Sequence, residues 1–224
     1  MYAERPSAVV PGAILWTRAD DGTARVLPDG CTDLIWTGDE LVVAGPDTTA
    51  HVSTISVGER FVAVRFPPGV GPSVFRTPAM DLRDRRVPLD GIWPAGDVRR
   101  LSERLAAAAH PGRMLEKAVA QFAAEVPTVM TNAANLLLHG RTVDDVADDV
   151  GLSPRQLHRR SLVVFGYGPK LLAQILRFGR ALGLARAGVP FAHVAVEAGY
   201  SDQAHLSRDV KRLSGVTLGE LLAR

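Results

Sequence analysis

At 224 residues and 46% hydrophobic content, the chain can bury one large core or two small ones. Two domains are the better expectation, because domains usually run to about 100–150 residues. The longest apolar stretches are broken by Arg, Gly or Pro well short of the roughly 18 residues a membrane span needs. The opening MYAERPSAVV lacks the basic start and apolar middle of a secretory leader, so a cytoplasmic protein with no membrane partner is expected. A lone cysteine, Cys31, excludes an internal disulfide and a cysteine-rich zinc site.

The formal net charge of +2 hides an asymmetry. Residues 1–90 carry 9 Lys/Arg against 12 Asp/Glu, and residues 127–224 carry 12 against 8, so the two ends are −3 and +4. From Val150 to Val196 there is no acidic residue, yet Arg155, Arg159, Arg160, Lys170, Arg177, Arg180 and Arg186 all fall there. A polyanion suits such a stretch, because neutralising phosphates releases counterions. The alternative is a solvated basic helix surface.

Up to about residue 93 the pattern is β-like: AILWTR, ARVL, TDLIWT, ELVVAG, HVSTISV and RFVAVRF alternate with turn formers such as Pro28-Asp29-Gly30 and Pro67-Pro68-Gly69. This spacing predicts an antiparallel sandwich or barrel. In RFVAVRF, Phe61, Ala63 and Arg65 share one face and Val62, Val64 and Phe66 the other. From Asp97 the period turns helical. Val98, Leu101, Leu105 and Ala108 form one stripe, and Met114, Leu115, Ala118, Val119 and Phe122 another, with His110-Pro111-Gly112 between them. This helical hairpin either packs onto the barrel or pairs with a second copy of the chain. Glu125-Val126-Pro127 then marks a boundary, giving three expected units: 1–93, a β-barrel regulatory domain; 94–126, the hairpin; and 127–224, an all-α DNA-binding domain.

Short helices follow. One spans Thr128 to His139 and stops at Gly140; Thr142 caps the next, VDDVADDV, whose aspartates Asp144, Asp145, Asp148 and Asp149 read as a solvated face. Ala147 is small where two helices must cross, Gly151 permits a left-handed turn, and Ser153-Pro154 supplies an N-cap and a first-turn proline. On the helix beginning there, Leu157, Ser161, Val164 and Phe165 face inward, leaving Arg155, His158, Arg159 and Leu162 outward. A short helix with Arg and Gln at its leading end suits a major groove. Forty-eight residues later Ala195, Gly199 and Ser201 repeat the landmarks, and a helix from Asp202 buries Leu206, Val210 and Leu213 while presenting Gln203, Ala204, Ser207, Arg208 and Lys211. Between the two, LLAQILRFGRALGLARAG predicts a helix of about 19 residues, hence about 28 Å long. Successive major-groove faces are about 34 Å apart, so two reading helices could share one side of a duplex.

Residues from about Thr128 to Leu222 resemble the DNA-binding domain of AraC/XylS-type bacterial transcription regulators. The carrying segments are A-D-D-V-G-L-S-P-R-Q-L-H-R-R (147–160), F-G-Y-G-P-K (165–170) and A-V-E-A-G-Y-S-D-Q-A-H-L-S-R (195–208). The family often has an aromatic at the position of Ser161 and basic residues where Leu162 and Val163 stand, which implies fewer phosphate contacts from the first unit. The resemblance also implies a cupin-like barrel followed by a helical hairpin ahead of the DNA-binding domain. The fold class expected is therefore α+β. His51 is the only histidine before residue 110, so the barrel is expected to be metal-free, and no cofactor is expected.

Arg155, Gln156, Arg159, Gln203 and Arg208 are the candidates for base or groove contacts, with His158, Ala204 and Ser207 on the same outward faces; Arg160, Lys170, Lys211 and Arg212 are the candidates for phosphates. His193 is expected to pack or cap. Trp16, Trp36, Phe61, Phe66, Phe75 and Trp93 either line an effector cavity or fill a small barrel. The partners expected are double-stranded DNA, an unidentified small-molecule effector, RNA polymerase and a second copy of the chain. Two competing functions remain open: a regulator whose barrel only dimerises, and a DNA-alkylation repair enzyme using Cys31 as methyl acceptor. Asp29 and Asp33 flank Cys31 and disfavour a thiolate, and no HExxH, GxSxG, Walker A or GxGxxG sequence occurs, so the expectation is a non-enzyme.

Overall fold

The computed structural model describes residues 2–19, 22–56, 58–120, 122 and 128–223. The boundary expected at Glu125-Val126-Pro127 lies outside the described residues. Strands come first: β1 (Tyr2–Pro6), β2 (Ile14–Arg18), β3 (Gly22–Val26), β4 (Thr32–Trp36), β5 (Leu41–Ala44), β6 (His51–Ile55), β7 (Phe61–Phe66) and β8 (Arg86–Pro88). They form a six-stranded sheet in the order β1-β2-β7-β4-β5-β8 and a two-stranded ribbon, β3-β6. Every pairing is antiparallel. Each β-like run in the sequence is one of these strands.

The β7 alternation decides which face is core. Val64 and Phe66 are fully buried, as are Leu34 and Val43 from neighbouring strands, with Trp36 and Leu15 nearly so. Three helices cover this face: α1 (Gly71–Phe75), α3 (Ala95–Ala106) and α4 (Pro111–Ala120). α4 lies on β2 and β7, and it comes so close that a Cβ on Gly112 would sit 2.8 Å from Leu15 Cδ2. Val98, Leu101, Leu105, Leu115 and Val119 are all buried in this cluster, so the apolar stripes of the hairpin are covered by the chain's own sheet.

β1 is polar and has no alternation to mark it. A charge pair ties it down. Arg5 Nη1 and Nη2 donate to Glu116 Oε1 and Oε2 at 3.1 and 2.6 Å, and the Ala8 N–H donates to Oε1 at 3.1 Å. Burial raises the Glu116 pKa, but these bonds and one with Ser7 outweigh it, and the carboxyl ends below its usual range.

The second half is helical: α5 (Thr128–Leu138), α6 (Val143–Asp149), α7 (Pro154–Phe165), α8 (Pro169–Arg186), α9 (Phe191–Ala198), α10 (Gln203–Ser214) and α11 (Leu218–Leu222). Its core is separate from the first, built on Leu137, Val146, Leu157, Leu172, Phe178, Val194, Leu206 and Leu213. Thr142 caps α6, accepting from the Asp145 N–H at 3.2 Å, and Arg141 pairs with Asp149 at 2.9 Å across the acidic face. No helix among the described residues is long and apolar enough to cross a membrane.

The halves meet along α7 and at the end of α10, where the Ala50 N–H donates to Leu213 O at 2.7 Å. α1 and the short α2 (Ala79–Leu82) pack on α7, and Leu27 joins the second core.

Candidate nucleic-acid interface

α6 and α7 form one helix-turn-helix, α9 and α10 another. Both turns close with the same hydrogen bond: Leu152 N–H to Ala147 O at 2.9 Å, and Tyr200 N–H to Ala195 O at 2.8 Å. Each turn needs positive φ, +67° at Gly151 and +85° at Gly199. Ala147 and Ala195 are buried where the helices of each unit cross.

The starts of the two reading helices differ. Ser153 caps α7 in a reciprocal box, its side chain accepting from the Gln156 N–H while Gln156 Oε1 accepts from the Ser153 N–H at 2.9 Å. The equivalent Ser201 does not cap α10. The cap moves on by one residue to Asp202, which accepts from the His205 N–H at 2.6 Å. That bond comes first among those that hold the Asp202 carboxyl below its usual range. Proline at position 154 fixes the first helix start, and nothing equivalent stands in the second copy.

The stripes fall as expected. Leu157, Ser161 and Phe165 are buried on α7, and Leu206, Val210 and Leu213 on α10. Arg155, Gln156, His158, Arg159, Arg160 and Lys170 are exposed, as are Gln203, Ala204, Ser207, Arg208, Lys211 and Arg212. Several are already engaged. Gln156 folds back onto its own cap. His158 lies against the α7–α8 corner, where a Cβ on Gly168 would meet its Nδ1 at 2.8 Å. Ser207 Oγ donates to Gln203 O at 2.9 Å. Arg212 Nη2 donates to Gln174 Oε1 at 3.1 Å and to Asp209 Oδ1 at 3.2 Å. Among the described residues, Arg155, Arg159, Arg160, Arg208 and Lys211 are thus the cationic heads on the reading helices with no side-chain hydrogen bond or close ion pair, although Arg208 is near enough to help hold the Asp202 carboxyl down. After Arg160 the first helix turns apolar: Val163 is 43% exposed beside Arg159, Arg160 and Val129 at the mouth of a cavity of about 560 Å³.

Two of the seven cations in the acid-free stretch hold the domain together instead. Arg180 on α8 donates from Nη1 to Leu138 O at 3.3 Å and from Nη2 to Ala198 O at 2.5 Å, finishing the C-terminal ends of α5 and α9. Arg177 donates to Asp209 Oδ2 at 3.1 Å and stacks over the Tyr200 ring at 4.4 Å. Asp209 is the lone acid on a basic helix, which is the one sequence signal that could have revealed this knot. His205 Nε2 lies 3.9 Å from the same carboxylate and its ring meets Tyr200 edge-on. His193, expected to pack or cap, is exposed instead, because it falls on the solvent side of α9's first turn.

The six candidate effector aromatics do not line one cavity, because the sheet lies between them. Trp36, Phe66 and Phe75 are at most 5% exposed in the first core, with Phe66 and Phe75 edge to face. Trp93 packs against Phe122 with the rings tilted, centroids 5.1 Å apart, beside the hairpin. Trp16 and Phe61 are on the opposite face, where Trp16 Nε1 donates to Asp33 Oδ1 at 2.5 Å and Arg65 Nε to the same oxygen at 3.2 Å. Burial pushes the Asp33 carboxyl up to about 6, with Arg65 and the Trp16 N–H drawing it partly back. Burial, then Asp29 and Asp33, push the Cys31 thiol well above its ordinary value, the reverse of what a methyl acceptor needs.

Two helix-turn-helix units joined through one helix are a build that can present a reading helix from each unit to DNA. The comparisons agree. Residues 146–224 match the helix-turn-helix domain family. Residues 13–88 match a domain of unknown function (DUF6597). No curated protein matches. Among solved structures the chain is similar to ToxT from Vibrio cholerae O395 at 11% identity and TM-score 0.52, covering 99% of this chain and 97% of that one. It is similar to apo ToxT K231A from Vibrio cholerae strain SCE256 at 11% identity and TM-score 0.51, covering 94% and 96%. These likenesses extend over both halves and concern the fold. A probable AraC family transcriptional regulator from Rhodopseudomonas palustris CGA009 is 21% identical over 44% of this chain and 97% of that one, with TM-score 0.39.

Proposed function

We propose that the protein is a sequence-specific DNA-binding transcriptional regulator whose two reading helices enter successive major grooves. The supporting observation is the repeated turn geometry at Ala147–Leu152 and Ala195–Tyr200, joined through α8, an 18-residue helix. At 1.5 Å per residue α8 is about 27 Å long, a fit to groove faces about 34 Å apart once the offset of each reading helix is added. Arg155, Arg159 and Arg208 reach base edges in this reading, and Arg160, Lys170 and Lys211 reach phosphates. Control by a small molecule is the second part of the proposal, with Trp16 and Phe61 beside the Asp33–Arg65 pair as the face that would meet it. The solid packing of Trp36, Phe66 and Phe75 favours a second reading, in which the N-terminal domain acts mechanically without an effector.

The test is binding of the full chain to sites selected from a random-sequence duplex library, measured at several salt concentrations. Log K should fall linearly with log salt. Arg159→Ala should weaken the selected site by about 1–3 kcal/mol and relax preference at one base position. Uniform weakening across all sequences would move Arg159 to the phosphates, and failure to select any sequence would remove the reading altogether.

A further inference from the structure

Both reading helices end on a left-handed glycine, Gly166 after α7 (φ +84°) and Gly215 after α10 (φ +78°). The carbonyls around these ends have no partner within the helix and stand at the negative end of its dipole. Each end is finished by an arginine from the N-terminal domain. Arg83, just after α2, donates from Nη1 to Gly166 O at 3.2 Å. Arg25 on β3 donates from Nη1 to Ser214 O at 2.8 Å. Beside the second contact the Ala50 N–H, one residue before β6, donates to Leu213 O at 2.7 Å. Backbone approach is close at the first: a Cβ on Gly166 would lie 2.9 Å from Pro46 Cγ and 3.1 Å from Ala79 O.

α8 also connects the two units, but it is built soft. Gly179 and Gly183 stand in its interior, both exposed, and an added Cβ would meet nothing within 4 Å at either. No packing demands glycine there, and each lowers helix propensity relative to alanine. A pliable strut on one side and a rigid domain touching both helix exits on the other make a closed frame. The contacts fall at the exits, so the leading turn of α7 with Arg155 and the outward face of α10 with Arg208 stay open to a groove.

We propose that Arg25 and Arg83 are positioning residues that set the distance and rotation between the two reading helices, and so determine which half-site spacing the protein accepts. This rests on the DNA-binding reading above. The N-terminal domain is then a ruler laid across the recognition helices rather than a mask over them.

The experiment uses the full chain and a duplex site selected from a random library, compared with the same site carrying one inserted base pair between its halves. The wild type should bind the lengthened site about 100-fold more weakly, because one step rotates the second half-site by about 34° as well as displacing it. The Arg25→Ala/Arg83→Ala variant should bind the selected site more weakly yet lose less than about tenfold on insertion. Arg25→Lys/Arg83→Lys, which keeps a donor and a charge at each exit, should restore part of the penalty. So should Gly179→Ala/Gly183→Ala placed in the double-alanine background, by stiffening α8. A merely destabilised protein would lose affinity for both duplexes alike. Amide exchange at Ala50 gives a readout without DNA: its protection should fall in the double-alanine variant at unchanged melting of the rest. An insertion penalty equal to wild type, or unchanged Ala50 protection, overturns the proposal. Failure to select any site, with Ala50 exchange accelerated, counts instead against the DNA-binding reading and takes the spacing role with it.

Discussion

Asp209→Ala should lower the stability of the chain by on the order of 3 kcal/mol, far more than an ordinary surface charge change. Asp209 is 8% exposed, and its two oxygens accept from Arg177 and Arg212 at 3.1 and 3.2 Å. Removing the carboxylate leaves the Arg177 guanidinium half-buried over Tyr200 with no counter-ion, and its buried Nε already lacks a partner. Breaking one side of such a pair costs more than the pair is worth, because the stranded charge cannot return to water. Arg177 is on α8 and Asp209 on α10, so the same change frees the second reading helix to rock on its strut. Urea denaturation should show the loss, and Asp209→Asn, which keeps an acceptor, should show a smaller one. A loss below about 0.5 kcal/mol would mean the pair behaves as an exposed one.

Gly45→Ala should be at least as damaging, about 3 kcal/mol or more. The added Cβ would fall 1.8 Å from Leu82 O and 2.5 Å from Leu82 C. These are backbone atoms, so no rotamer change relieves the overlap, and the Gly45 N–H is held to Arg85 O at 3.0 Å. Gly45 does not have positive φ, so the demand is for space alone. Relief requires α2 to move, and α2 carries Ala79 against Gly166 at the end of the first reading helix. The expected result is a lower denaturation midpoint together with faster amide exchange at residues 165–167. A midpoint within about 0.5 kcal/mol of wild type would show that α2 yields freely.

The C-terminal half was legible in the sequence because its signals are local. Gly151 and Gly199 stand at turns only glycine fills comfortably, Ser153-Pro154 starts a helix on its own chemistry, and the apolar period of α10 is unbroken. Asp202 rather than its neighbour Ser201 caps α10 because two capping residues stand side by side and only geometry chooses, and His193 falls on the solvent side of α9 rather than packing. In the β half, alternation marked β2 to β7 but not β1 or β8. β1 depends on an Arg5–Glu116 pair 111 residues apart, and β8 is three residues long. The reading surface was half legible. Exposure follows from helical period, but composition cannot distinguish an arginine that reaches outward from one that finishes a helix end. Arg155 and Arg159 look the same in the sequence as Arg177, Arg180, Arg25 and Arg83, and only tertiary contacts separate them.

The central claim is that both helix-turn-helix units engage one duplex together. Hydroxyl-radical footprinting of the full chain on a selected site tests this most directly. Two protected segments are expected on one face of the DNA, about one helical turn apart, with Arg155→Ala weakening one and Arg208→Ala the other. A single protected segment, or two that weaken together with either substitution, would contradict it.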